Sequence, residues 1–117
     1  MPETEPTEPF EEPHVGTRYR WEVEAAYRKL EASAGDQQSP LANGLLTAYS
    51  WALGHTTTAP VTGDVSAGAP GLGLLTAEVD AATVQLEGAA QRGIPQDHIQ
   101  GVYDALAWIC GQLEPRP

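Results

Sequence analysis

The chain has 117 residues, sixteen acidic against six basic, for a formal net charge of −10 at pH 7. That length supports one domain of modest size, and the charge disfavours direct binding to nucleic acid or an anionic membrane, both of which need Lys and Arg to displace counterions. A single cysteine, Cys110, excludes an intrachain disulfide and a cysteine zinc site. A cytoplasmic protein is the expectation, with no signal peptide and no run of about 18 apolar residues for a membrane span.

Residues 1–16 read as a disordered acidic tail. Glu3, Glu5, Glu8, Glu11 and Glu12 alternate with Pro2, Pro6, Pro9 and Pro13. Proline at that density removes backbone donors, and the glutamates repel one another. Half of the net charge sits here, which leaves the folded part mildly acidic. Phe10 is the one aromatic among these acids, so Glu8, Phe10, Glu11 and Glu12 form a candidate partner-binding segment.

Residues 17–114 read as one helical domain. The first helix is expected over 17–33, with Thr17 as N-cap and Tyr19, Val23, Ala26, Tyr27 and Leu30 at helical spacing. Gly35 ends it. Ser39 then caps a second helix with Pro40 at its first position, running to Leu53 and stopped by Gly54. Helical periodicity is lost over 55–73, where Thr, Gly, Ala and Pro dominate, and a long crossover loop is expected. The third helix is expected over 74–92, ended by Gly93, and the fourth over 96–113. Ile99, Val102, Leu106, Ile109 and Leu113 form the main face of that last helix. Tyr103, Ala105, Ala107, Trp108 and Cys110 widen it, so the helix is either central or part of an interface.

The chain also carries an internal echo. Glu22-Val23-Glu24-Ala25-Ala26 with Leu30-Glu31 returns 56 residues on as Glu78-Val79-Asp80-Ala81-Ala82 with Leu86-Glu87. Gly44, Ala48, Trp51 and Gly54 return 57 residues on as Gly101, Ala105, Trp108 and Gly111. The fold expected is all-α: a four-helix bundle of two repeated helical hairpins, about 17–54 and 74–113, joined by the crossover. Small residues four apart let a neighbouring backbone approach closely, and a mid-helix glycine costs about 1 kcal/mol relative to alanine. Both copies carry that cost at the same place. Gly44, Ala48, Trp51, Gly101, Ala105 and Trp108 are therefore expected to form a crossing of helices two and four. The alternatives are a homodimer seam and a ligand pocket walled by the two tryptophans.

No catalytic set assembles, and no metal or cofactor is expected. His14, His55 and His98 lack the Glu-x-x-His or His-x-x-x-His spacing of metal-binding helices. Arg92 and His98 have the spacing that helical ribonucleases place within one helix, but Gly93 and Pro95 interrupt it here. Glu22, Glu24, Glu78 and Asp80 read as solvated flanks of the apolar stripes, and the arginines of the first helix as intrahelical ion-pair partners such as Glu24 with Arg28. The functional expectation is a non-enzymatic protein-interaction module, in its concrete form an acidic inhibitor or regulator of a basic, nucleic-acid-binding protein. The alternatives are a bundle that dimerises through helix four and a small-molecule-binding helical protein.

Overall fold

A computed structural model describes residues 13–34, 39–93, 96–114 and 117. Most of them are helical, with one small two-stranded sheet. In chain order the elements are β1 (His14–Val15), β2 (Arg18–Tyr19), α1 (Arg20–Ala34), α2 (Pro40–Ala52), α3 (Leu72–Arg92) and α4 (Asp97–Ile109). The tail with Glu8, Phe10, Glu11 and Glu12 lies outside the described residues, as do Gly35 and the Ile94-Pro95 connection.

The first helix starts three residues later than its sequence pattern predicts. Tyr19 takes the N-cap position, and its backbone N–H donates to Glu22 Oε1 at 3.0 Å, half of a capping box. Thr17 does not cap α1. It sits in the turn of an antiparallel hairpin that pairs His14 with Tyr19 and Val15 with Arg18, and its N–H and hydroxyl both donate to the Ile109 carbonyl at 2.8 Å. Periodicity could not reveal this hairpin, because two-residue strands carry no pattern. Val15 is nonetheless a core residue, 2% exposed, so the fold begins inside the segment expected to be tail.

At α2 the local signals act as expected. Ser39 Oγ accepts the Ala42 N–H at 3.1 Å, and Pro40 opens the helix. α4 stops at Ile109, four residues short of the expected end, because Gly111 turns left-handed at φ 78°. The 53–71 connection is mostly exposed and is anchored at a few points. Thr58 pairs with Val65 in an isolated bridge, and Ala59 and Pro70 are buried. Glu78 holds it in place: its Oε1 accepts the N–H groups of Val61 (2.8 Å) and Thr62 (3.2 Å). Glu78 is 3% exposed, so the reading of it as a solvated flank is wrong. A buried carboxylate needs donors, and the loop supplies them.

The helices lie in the spatial order α1, α2, α4, α3, with the α2–α4 contact the most extensive. α4 packs against α2, α3 and the N-terminal hairpin, which accounts for its wide apolar face. Ile99, Val102, Ala105, Leu106, Ala107, Trp108 and Ile109 are all buried within the chain. The face that suggested dimerisation through helix four is thus already covered by the protein itself. Among the described residues, no helix is long and apolar enough to cross a membrane.

Candidate functional site

Of the six residues expected at the helix crossing, Gly44 and Gly101 lie where α2 and α4 meet. A methyl group built on Gly44 would overlap the His98 carbonyl oxygen and lie against the Val102 nitrogen. One built on Gly101 would overlap the Leu41 carbonyl oxygen and lie against the Leu45 nitrogen. Leu41 and Leu45 stand 57 positions before His98 and Val102, so the two contacts are the same contact seen from either side. Here helix backbones touch directly, with Ala48 and Ala105 at 0% exposure beside the contact. Mid-helix glycine is required on both helices for that reason.

The helix ends match too. Gly54 N–H donates to Trp51 O (3.0 Å) and His55 N–H to Ser50 O (2.9 Å). Gly111 N–H donates to Trp108 O (3.0 Å) and Gln112 N–H to Ala107 O (2.8 Å). Each pair is a Schellman motif, which needs the left-handed residue that glycine provides. The two C-termini lie at the same end of the molecule, because one short segment reaches both. Arg18 Nε donates to Trp108 O (2.8 Å) and its Nη2 to Leu113 O (3.3 Å). Arg20 Nη2 donates to Leu53 O (3.0 Å). α2 and α4 therefore run in the same sense, and the two arginines neutralise the negative ends of both helix dipoles. Arg20 also bonds Glu24 at 3.1 Å, which replaces the expected pairing of Glu24 with Arg28.

The two tryptophans end up in different surroundings. Trp108 meets Tyr49 edge-on at 6.3 Å and carries the Arg18 guanidinium 4.8 Å from its ring centre; that guanidinium is further paired with Glu114. Trp51, 1% exposed, forms part of a cavity of about 280 Å³ together with Leu74, Ala77, Glu78 and loop residues that include Asp64 and Ser66. Trp108 is not among its walls, so the pocket expected between the two tryptophans is a pocket beside one of them. The indole Nε1–H of Trp51 is buried without a hydrogen-bond partner among the described residues.

Charge is distributed unequally. Residues 13–54 carry four acidic and four basic residues and balance, whereas residues 55–114 carry seven acidic residues against Arg92 alone, a formal net of −6. The acidity of the folded part is therefore concentrated in its second half. Sequence reasoning averaged over this and so missed it.

Titratable groups offer little chemistry. Burial is the main cause that raises the Cys110 thiol above its ordinary range; the Thr76 hydroxyl opposes it and the Asp80 charge adds to it. Burial, then Glu31, raises Tyr27, with a hydrogen bond from Ser50 acting the other way. A thiol raised in this way is a poor nucleophile at neutral pH. His14 lies against Tyr19 and His55 against Tyr27, the rings tilted in both pairs. Among the described residues no group of three or more His, Cys, Asp or Glu side chains could hold a metal ion.

No protein-family model matches this chain, and no curated protein or solved structure matches it either.

Proposed function

We propose that this chain is a non-enzymatic protein-interaction module. On this reading it is a four-helix bundle of two repeated hairpins related by a pseudo-two-fold axis through the Gly44–Gly101 crossing. It acts in the cytoplasm as an acidic inhibitor or regulator of a basic, nucleic-acid-binding protein. The observation that carries the functional part is the charge of residues 55–114, seven acids against one base. Of the basic residues nearest the helix ends, Arg18 offsets one of these acids, Glu114, and Arg20 is engaged by the Leu53 carbonyl and Glu24. Glu78 is buried, and the other six acids form a surface that steers basic partners and repels nucleic acid.

The reciprocal glycine contacts, the two Schellman caps and their common spacing support the repeated architecture. Self-association is the second reading. It would use the exposed stack of Tyr19 and Trp21, 43% and 58% exposed with ring centres 6.2 Å apart, because α4 is covered. Light scattering at high concentration separates the two, a clean monomer ending the second.

The main test is a pull-down with the full chain from nuclease-treated lysate. The expected prey is a basic nucleic-acid-binding protein, released by moderate salt and by competing duplex. Retention of no basic protein at low salt overturns the proposal. Deleting residues 1–12, which spares the bond from Arg20 N–H to Pro13 O, then reports whether the acidic tail contributes.

A further inference from the structure

α3 is the outermost helix of the spatial order and rests on α4. Its Leu75, Val79, Ala82 and Ala89 are buried within the chain. A second apolar line runs along its outer side. Leu74, Ala77, Ala81, Val84 and Gly88 recur at intervals of three, four, three and four residues, the spacing that presents one seam to another helix. This seam is open, with Leu74 46% and Val84 68% exposed. Val65, 75% exposed, extends it from the 53–71 connection, because Val65, Leu74 and Ala77 border the same cavity. From Leu74 to Gly88 the seam runs for about four helical turns.

Gly88 points to a helix as the occupant. Glycine inside a helix is destabilising, and Gly44 and Gly101 are required by their crossing. A methyl group on Gly88 would meet only the flexible end of Arg92, at 3.4 Å, among the described residues. Its place in the seam lets a helix approach closely from outside. Charge then gives the chemistry of that helix. Asp64 lies beside Val65 and Leu74, while Asp80 and Glu87 flank the seam on α3 itself. All three acids are exposed, and the described ion pairs, Arg18 with Glu114 and Arg20 with Glu24, use none of them. Arg92, at the C-terminal end, is the one base on α3. A second copy of this face would bring the same acids against these, which opposes self-packing. A helix with Lys or Arg beside its apolar line is matched instead.

We propose that the outer face of α3 is the docking surface for an amphipathic helix of a basic protein partner. The apolar line of that helix lies on Leu74, Ala81 and Val84, and its flanking cations face Asp64, Asp80 and Glu87. The proposal rests on the reading of the chain as an acidic interaction module, and it names the surface on which the partner is received.

The test is an NMR titration of the full chain, ¹⁵N-labelled, with a blocked Leu/Lys peptide of about 18 residues in helical amphipathic order. A peptide of the same composition in scrambled order is the control. The expected result is a saturable shift of the Ala77, Ala81, Val84 and Gly88 amides, with the Trp21 indole signal unmoved and little response to the scrambled peptide. V84Q should weaken binding about tenfold. E87Q should weaken it about twofold and make it less sensitive to salt. W21Q removes an exposed apolar side chain elsewhere and should leave binding unchanged. All three positions are exposed, and unchanged amide spectra away from each substitution verify the fold. The proposal is overturned if the shifts fall outside α3, if the scrambled peptide binds equally, or if V84Q binds as well as the parent chain. A basic partner retained equally by V84Q in the pull-down also sinks the α3 surface while the proposed function stands. Peptide docking on α3 with no basic partner retained does the reverse.

Discussion

The C-terminal ends of α2 and α4 carry the same type of cap and differ in what covers them. In the second half, α4 ends under a complete cap. Thr17 and Arg18 bind its last carbonyls, and a guanidinium lies on Trp108. In the first half, α2 ends beneath the 53–71 connection, with one arginine on Leu53 and a cavity beside Trp51. The first half is electrically neutral, and the second carries the acid. The same helix cap is thus closed over by Arg18 and Thr17 in one place and lies near a cavity in the other.

The largest effect is expected at the feature the halves share. Gly44→Ala and Gly101→Ala each push a methyl group into a backbone carbonyl that cannot swing aside. Each should cost about 3 kcal/mol net in urea unfolding, even after the helix-propensity gain. The double variant should cost less than the sum, because the first separation relieves the second. Gly88→Ala is the control. It meets only the flexible end of Arg92 at 3.4 Å and should stabilise by up to about 1 kcal/mol. If all three glycines behave alike, the backbone crossing is not what they are for.

Closure of the second half comes next. Arg18→Ala removes two carbonyl bonds and the indole contact, and should cost about 2 kcal/mol. Glu114→Ala, whose carboxylate is 66% exposed, should cost under about 1 kcal/mol. Equal losses would make the ion pair, and not the cap, the main contribution. On the open side, Glu78→Ala strands the N–H groups of Val61 and Thr62, at about 1–2 kcal/mol. Hydrogen exchange should quicken at those two amides while α2 and α4 stay protected, and uniform quickening would refute the local role.

The smallest effect is in alkaline solution. Cys110 and Tyr27 both titrate higher in the folded state than their ordinary values of 9.0 and 10.0. The folded state therefore binds protons more tightly than the unfolded one. Each contribution is complete below the ordinary value, 9.0 for Cys110 and 10.0 for Tyr27, and is lost as pH rises through the raised one. The melting temperature should fall from above pH 9 upward, and Cys110→Ala should remove the earlier part of that fall. An unchanged profile in that variant would assign the loss to other groups.

How much was legible varies with the range of the interaction. Ser39 and Pro40 start α2, and Gly54 and Gly93 stop helices, through bonds spanning a few residues. The Gly-x-x-x-Ala-x-x-Trp spacing foretold a close crossing because glycine inside a helix has a cost that only packing explains. Glu78 was hidden by its resemblance to Glu22. One bonds its own helix start and the other a loop 16 residues away, and spacing alone cannot separate them. The 14–19 hairpin and the cap on α4 depend on residues about 90 positions apart, beyond the reach of periodicity.

The sequence by itself determined the four helices, the Ser39 cap of α2 and the two glycines that demand a backbone contact, because each follows from local hydrogen bonding and side-chain size. Tertiary structure alone decided that α2 and α4 run in the same sense, that Arg18 reaches Trp108, and that Trp51 borders a cavity. Those outcomes depend on which distant surfaces meet when the apolar faces are buried, and burial has no direction until the whole chain has packed.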